Sequence, residues 1–297
     1  MGSCLQTVTE EKFSHLLKKH PCFNGEAHFK HGRIHLPVSP KCNIQCKFCK
    51  RTINKFEKRP GVTGSILSPQ QAVDTVERAL NLCPDITVVG IAGPGDTLAT
   101  PHALDTFELV HNKFPNLINC LSTNGLMLKE NVNRIVQVGV KTVTVTVNAV
   151  HADIVQQVCS YILYNGRYIT DKEAVLWLLL AQLAGIDMAV KAGLLVKINT
   201  VLIPGVNDHH IGEIARVTAG VGASMMNIIP LIPQNEMRDY RPPNCRELNE
   251  ARAAAEKHLP VFRHCQQCRA DACGIPGSNA DLAGILYEEP LQTFSHG

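Results

Sequence analysis

The sequence predicts an α/β protein in which six strand–helix units build one parallel sheet, and three observations carry that prediction. Apolar runs rich in β-branched residues alternate with segments of helical period from residue 34 to residue 258. Such alternation builds a parallel sheet with right-handed crossovers. The polar motifs fall just after the strand-like runs: the cysteine loop at 41–50, GPGD at 93–96, STNG at 122–125, Asn148, PGVND at 204–208 and PLIP at 230–233. In a barrel these positions share one mouth, the C-terminal face on which such folds build active sites. Finally, 297 residues that are 45% hydrophobic suffice for one sizeable core. Periodicity alone leaves a doubly wound sheet and an open, partial (βα)6 TIM-type barrel both open.

The first strand is expected in IHLPVS (34–39). After the cysteine loop, SPQQAVDTVERALNL (68–82) has helical spacing and a Ser68-Pro69 start. ITVVGIA (86–92) reads as a buried strand and HALDTFELVHNKF (102–114) as a helix; LINCLS (117–122) and KENVNRIVQVG (129–139) repeat the pair. KTVTVTVN (141–148) is the clearest strand. A helix covers roughly 171–192, and Gln182, Asp187 and Lys191 mark it as a buried helix rather than a membrane span. Strand LLVKINTVLI (194–203), helix HHIGEIARVTAGVG (209–222), strand MMNIIPLI (225–232) and helix RELNEARAAAEKH (246–258) complete the series. The chain thus divides into an N-terminal extension (1–33), a barrel (34–260) and a C-terminal segment and tail (261–297).

Net charge is only +3 with no long basic run, which argues against a nucleic-acid partner. The N-terminus lacks the apolar stretch of a secretory signal, so neither export nor a membrane is expected. Twelve cysteines are too sparse for a disulfide scaffold. A cytoplasmic location with reduced thiols follows as the expectation, and such thiols serve metals or catalysis.

KCNIQCKFCK (41–50) places Cys42, Cys46 and Cys49 in one loop, flanked by Lys41, Lys47, Lys50 and Arg51, which would favour thiolates. A 4Fe–4S cube on three thiolates keeps one iron free for a small ligand, which a four-cysteine electron carrier cannot do. The competing reading is a tetrahedral zinc site closed by a residue such as His35. The C-x3-C-x2-C spacing directly after a first strand resembles that of radical S-adenosylmethionine (SAM) enzymes, whose open iron binds the amino and carboxylate groups of SAM. Gly93, Gly95 and Asp96 then stand where related enzymes hold the SAM amino group. Ser122, Asn124, Asn148, Lys197 and Asn199 offer hydrogen bonds to ribose and carboxylate; ordinary turn chemistry is the alternative for each.

A second thiol group, RHCQQCRADACG, carries Cys265, Cys268 and Cys273, spaced for iron–sulfur or zinc. Before the barrel, His20, Cys22, His28, His31 and His35 crowd the approach to the cysteine loop. Cys4, Cys83 and Cys159 carry no signal beyond ordinary tail or core residues.

Together HPCF, GRIHLPVSPKCNIQCKFC, RPGV, GIAGPGDTLA, CLSTNG, VLIPGVNDHH, NIIPLIP and RHCQQCRADA resemble the NifB family, radical SAM maturases of the nitrogenase iron–molybdenum cofactor, from about His20 to Gly277. The resemblance implies the partial (βα)6 barrel of the radical SAM superfamily. It implies SAM and three 4Fe–4S clusters, one on Cys42, Cys46 and Cys49 and two auxiliary clusters that are the substrate. Cys22, His35 and Cys120 would hold the first auxiliary cluster; Cys265 and Cys268 would hold the second and take part in catalysis. Glu57 matches a family glutamate that contacts cluster iron or takes a proton, though a solvated loop carboxylate is the plain alternative. Many members carry another cysteine shortly after the SAM motif; KRTINKFEKRP has none, so Cys273 is expected as third ligand, with Cys245 behind it. Implied activity is insertion of a SAM-derived carbide during fusion of the two clusters into an eight-iron precursor, by methyl transfer and then hydrogen abstraction. Cluster donors, a reductant and a carrier or scaffold protein are the implied partners. The expectation is a stand-alone form without the carrier-like C-terminal domain that many members append, with a separate protein as carrier. Two other readings stay open: a radical SAM enzyme with auxiliary clusters acting on a peptide or small molecule, and a non-catalytic iron–sulfur scaffold.

Overall fold

In the computed structural model, which describes residues 11–278 and 282–287, all six expected units are present. The strands are β1 (Gly32–His35), β2 (Ile86–Ile91), β3 (Ile118–Thr123), β4 (Val140–Thr146), β5 (Leu195–Leu202) and β6 (Met225–Pro230). The helices that follow them are α1 (Pro69–Leu82), α2 (His102–Lys113), α3 (Leu128–Gln137), α4 (Asp171–Lys191), α5 (Ile211–Gly220) and α6 (Cys245–Glu256). Neighbouring strands are parallel, and their order across the sheet is the order of the chain. A doubly wound sheet reverses its strand order at a switch point. This sheet has no reversal, so it is the open, curled half-barrel.

Local chemistry explains the element boundaries. Ser68 and Gln71 form a reciprocal capping box with Pro69 in the first turn, which starts α1 as its sequence requires. β1 is shorter than expected and stops at His35, because Pro37 has no N–H to continue a ladder. On the helix side, Ile34, Leu36, Val89, Ile91, Leu121 and Val143 join Val76, Phe107, Ile135 and Ile214 in one continuous core. Burial of each such side chain contributes about 1.5–3 kcal/mol.

A half-barrel leaves two open edges, and the C-terminal segment occupies both. Val261–Phe262 pairs parallel with β6, and Cys273–Gly274 pairs antiparallel with β1. The residues between them cross the open side as a strap, which also protects both edges from stray pairing.

One region departs from expectation. Between β4 and α4 the chain forms a short helix, Ala152–Val158, and a hairpin of Cys159–Tyr164 with Arg167–Ile169. The hairpin turns at Asn165-Gly166, both at positive φ, the usual chemistry of a two-residue turn. Its first strand pairs antiparallel with Ile44–Cys46, so it walls the cysteine loop. α4 is long and apolar enough to cross a membrane, and 39% of its most apolar window is buried in the fold. Gln182 on it donates to the carbonyls of Asn124 and Thr146, which ties it to the ends of β3 and β4.

Candidate functional site

The strand ends carry a cavity of about 200 Å³ into which Cys42, Cys46 and Cys49 all open. The Gln45 amide donates to the carbonyls of Cys46 and Cys49, which shapes the loop around its sulfurs. Opposite stand Pro94, Gly95 and Asp96 after β2, Ser122 and Asn124 at the end of β3, and Asn148 after β4. Gly95 is required here: a Cβ would lie 2.0 Å from the Lys41 carbonyl oxygen. That close approach is sealed by Gly95 N–H to the Ser39 carbonyl and Asp96 N–H to the Lys41 carbonyl.

Asp96 is buried, and its carboxylate accepts from the Thr123 hydroxyl and from the N–H groups of Leu98 and Asn124. Burial still pushes its pKa up against those bonds. Its oxygens are committed, so Asp96 braces the wall of the cavity. Asn124 donates to Asn43 at 2.7 Å and lies 3.9 Å from Cys42 Sγ, joining the β3 end to the cysteine loop.

Burial pushes all three thiols up, Cys42 to about 11. The expected effect of the flanking cations is present through Arg51, but desolvation outweighs it. Three half-buried thiols that repel one another as anions need a cationic centre to become thiolates together. The donor set therefore fits an iron–sulfur cluster.

A further thiol, Cys159, lines the same cavity. It is the register partner of Cys46 across the antiparallel pair, and burial pushes it to about 11. In the sequence Cys159 reads as an ordinary core residue; only the long-range pairing reveals its place. Cys4 lies outside the described residues.

Deeper in the barrel a second group assembles. Side chains alternate along β1, so Ile34 enters the helix-side core while Arg33 and His35 face the interior. His35 is fixed at three points: its N–H donates to the Ala272 carbonyl, its carbonyl accepts from the Tyr287 hydroxyl, and its Nδ1 donates to the Arg269 carbonyl at 3.1 Å. Nε2 is left with a lone pair for a metal. Burial, reinforced by Arg33, lowers its pKa to about 4 and keeps the ring neutral. The facing position is Gly90, where a Cβ would crowd the ring at 3.0 Å.

Cys22 is pushed to about 12, chiefly by burial and then by the neighbouring thiols of Cys268 and Cys120, against Lys197 and Arg33. Cys22 and Cys120, expected on one cluster, thus share their surroundings with Cys268, expected on the other. Arg33 donates to Cys268 Sγ at 3.1 Å and to the Gly274 carbonyl at 2.6 Å, and its buried Nε has no partner. Lys197 donates to the Cys22 carbonyl at 2.8 Å and sits 4.3 Å from the Phe23 ring centroid. Two buried cations among thiols, one with an orphaned donor, fit anionic clusters.

Four expectations shift. Lys197, expected beside SAM, stands beside Cys22 instead, because it lies near the start of β5, deep in the barrel. Asn199 accepts from the Asn227 side chain at 3.1 Å and does not line the cavity. Cys273 is the register partner of Ile34 and is buried with it in the helix-side core; alternation turns it away from the interior where Arg33 meets Cys268. Cys245 is exposed at the first turn of α6. Cys265 is also exposed, on the strap beside half-buried Cys268.

Glu57 is held by Arg59 at 2.6 Å and by Asn54 at 2.7 Å, and Arg59 lowers its pKa. Its backbone carbonyl accepts from Arg269, which fastens the Glu57 loop to the strap. Arg33 and Thr142 join the site without a motif to announce them, although alternation with His35 marks Arg33 as interior, and His20 joins it from the HPCF motif.

With this geometry in view, comparison with known proteins is informative. The radical SAM superfamily model matches residues 36–218. The chain is similar to the FeMo cofactor biosynthesis protein NifB of Methanocaldococcus infernus, 46% identical over 266 residues, covering 89% of this chain and 88% of that one. It is also similar to NifB of Methanocaldococcus jannaschii, 46% identical over 294 residues, covering 96% and 98%. NifB of Klebsiella pneumoniae is 40% identical over 268 residues, covering 88% of this chain and 57% of that protein. Among solved structures, a radical SAM methyltransferase from Sphaerobacter thermophilus superposes with a TM-score of 0.57 at 20% identity, over 77% of this chain and 65% of that one. Streptococcus suis SuiB bound to S-adenosylmethionine does so with 0.56 at 13%, over 95% and 70%. Both share the fold.

Proposed function

Because this chain belongs to the NifB family of FeMo cofactor biosynthesis proteins, within the radical SAM superfamily, we propose that it fuses two 4Fe–4S substrate clusters around a SAM-derived carbide into the eight-iron precursor of the nitrogenase cofactor. It is a radical SAM enzyme, and SAM is its co-substrate. When bound, the resident cluster on Cys42, Cys46 and Cys49 supplies the electron that cleaves SAM reductively. One SAM gives a methyl group to a substrate-cluster sulfide, and a second gives the 5′-deoxyadenosyl radical that removes hydrogen from it.

The residues divide this work. Ser122, Asn124 and Asn148 ring the SAM cavity, and Pro94, Gly95 and Asp96 form the wall that would meet the amino group; Gly93, expected beside them, abuts Ala270 of the strap instead. Cys22, His35 and Cys120 hold one substrate cluster; Cys265 and Cys268 hold the other. Arg33 and Lys197 offset the charge of both. With its pKa lowered by Arg59, Glu57 is a weak base and suits contact with iron better than proton removal. The observation that carries the reading is that Arg33, which faces the interior beside His35 on β1, donates to Cys268 Sγ at 3.1 Å, so the two proposed ligand sets adjoin across one buried cation. Fusion requires adjacency. Cluster donors, a reductant and a cofactor carrier or scaffold, all in a reducing cytoplasm, are the partners it needs.

The test is a product assay on anaerobically reconstituted, reduced protein given SAM and no other substrate. S-adenosylhomocysteine and 5′-deoxyadenosine should both form, and S-adenosylhomocysteine formation should vanish in the Cys265→Ala/Cys268→Ala variant. Slow deoxyadenosine alone, indifferent to those replacements, would mean that the substrate is not a cluster on the protein, and the reading would give way to a radical SAM enzyme acting on a peptide or small molecule.

A further inference from the structure

We propose that His20 is a positioning residue that joins Cys22 and Cys120 in one hydrogen-bonded frame and, through Thr142, sets how readily the cluster they hold is reduced. The proposal rests on the assignment of that cluster above. His20 is fully buried, with its ring 4.4 Å from that of Phe23. Its Nδ1 accepts the backbone N–H of Cys22 at 3.2 Å, so this nitrogen carries no proton. The ring proton is then on Nε2, 3.2 Å from Thr142 Oγ1, to which it donates. A hydroxyl oxygen that accepts keeps its own proton for a further acceptor. That proton is free for Cys120 Sγ, the sulfur of its register partner on β3.

Topology makes the last link possible. Thr142 is the register partner of Cys120 across β3 and β4, so hydroxyl and sulfur emerge on the same face of the sheet. One imidazole therefore holds the first ligand by its backbone and the second by its sulfur. The direction of every donor in the chain matters: reversing the tautomer would leave the Cys22 N–H unpaired and remove the donor that orients Thr142. Hydrogen bonds to ligating sulfur are among the determinants of cluster potential. An O–H aimed at a thiolate favours the more negative, reduced cluster, so its loss makes reduction harder.

The test uses the full-length chain in two states. In the iron-free protein, nitrogen-15 NMR of labelled histidines should show His20 as the Nε2–H tautomer. In the reconstituted protein, an EPR-monitored redox titration should follow the cluster that shows nitrogen coupling from His35. Thr142→Val keeps the branched shape and removes the hydroxyl. It should shift the oxidised-to-reduced ratio at fixed potential roughly tenfold toward oxidised, about 59 mV for a one-electron couple. Thr142→Ser should restore the native value. His20→Phe keeps the aromatic volume and should shift the same way, and the double variant should move no further than the larger single change. A native potential in Thr142→Val, additive shifts in the double variant, or an Nδ1–H tautomer would each overturn the proposal while leaving the proposed function intact. A wild-type chain with no nitrogen-coupled cluster would instead remove the cluster assignment itself, and the proposal with it.

Discussion

Replacing Gly95 by Ala tests the architecture of the SAM cavity directly. The added carbon would lie 2.0 Å from the Lys41 carbonyl oxygen, 2.5 Å from its carbon and 2.8 Å from the Ser39 oxygen. All three are backbone atoms, so no rotamer change relieves the clash; the two segments must part by roughly 1 Å or more. Parting breaks the Gly95-to-Ser39 and Asp96-to-Lys41 hydrogen bonds, now 2.8 and 2.9 Å. Overpacking costs about 1–3 kcal/mol, and each lost bond about 0.5–1.5 kcal/mol. The expected loss is therefore about 2–6 kcal/mol. Because Lys41 precedes the first cluster thiol, the displacement passes straight to Cys42. Thermal unfolding of the iron-free chain should fall by several degrees, and calorimetric SAM affinity of the reconstituted chain by at least about tenfold, the equivalent of 1.4 kcal/mol. A Gly95→Ala chain that melts and binds SAM like wild type would refute both the contact and the role of the bend.

Three further outcomes are expected. His210 Nε2 accepts the Val150 N–H at 3.1 Å, and burial, then His151 and His209, hold its pKa below the ordinary 6.5, against Glu213. The unfolded chain then binds more protons than the folded one below that value, so this stability is present above pH 6.5 and lost as pH falls through the folded pKa. The melting temperature of the iron-free protein should drop on that descent, and a His210→Gln variant with the same slope would contradict the assignment. Iron analysis should separate the strap cysteines: Cys268→Ala loses one cluster's iron, whereas Cys273→Ala keeps its iron and loses only core packing. Equal iron loss in both would return Cys273 to the ligand set. In air-oxidised, iron-free protein, peptide mapping should find a Cys46–Cys159 disulfide, since the two are register partners beside the bulge at Gln45–Cys46 and opposed antiparallel residues bring their Cα atoms within about 4.5–5.5 Å. A Cys159→Ala chain should still load the SAM-binding cluster; failure to load would make Cys159 a ligand rather than a neighbour.

The six barrel units were legible because each is announced locally: β-branched strand cores, the Ser68-Pro69 start and apolar helix faces need no knowledge of distant residues. The insertion at 152–169 was missed although Asn165-Gly166 is a hairpin signal, because one strand's partner, Ile44–Cys46, lies far away in sequence. Spacing misled at Cys273. Counting residues from Cys268 suggested a ligand, whereas the antiparallel register with Ile34 sets the face on which the sulfur emerges. Lys197 was assigned to the mouth by strand membership alone; its place within β5, two residues from Leu195, sets its depth. Pattern identifies elements, but pairing decides where a side chain points.

That distinction bears on how the barrel can both hold and release a substrate. Of the ligands proposed beyond the SAM loop, His35 and Cys120 belong to the sheet, Cys22 to the N-terminal segment, and Cys265 and Cys268 to the strap. The strap pairs with the sheet over two residues at each edge, and His35 of β1 donates to its Ala272 and Arg269 carbonyls. Further ties fasten it along its length: Arg269 donates to the Asn54 and Glu57 carbonyls, Asp271 accepts from Thr63 and Gly64, Ala270 N–H donates to the Val62 carbonyl, and Gln267 donates to the Pro230 carbonyl. Arg33 adds its bond to Cys268 from beneath. A buried guanidinium with an orphaned Nε and a buried ammonium on one carbonyl bond are both under-satisfied without anions nearby. Ligands that bind only the folded chain stabilise it, so loading the clusters should tighten the strap through these cations, and removal of the product should loosen it. The strap that bears the proposed ligands Cys265 and Cys268 is thus held by its own hydrogen bonds, and the proposed clusters would reinforce that hold through Arg33 and Lys197.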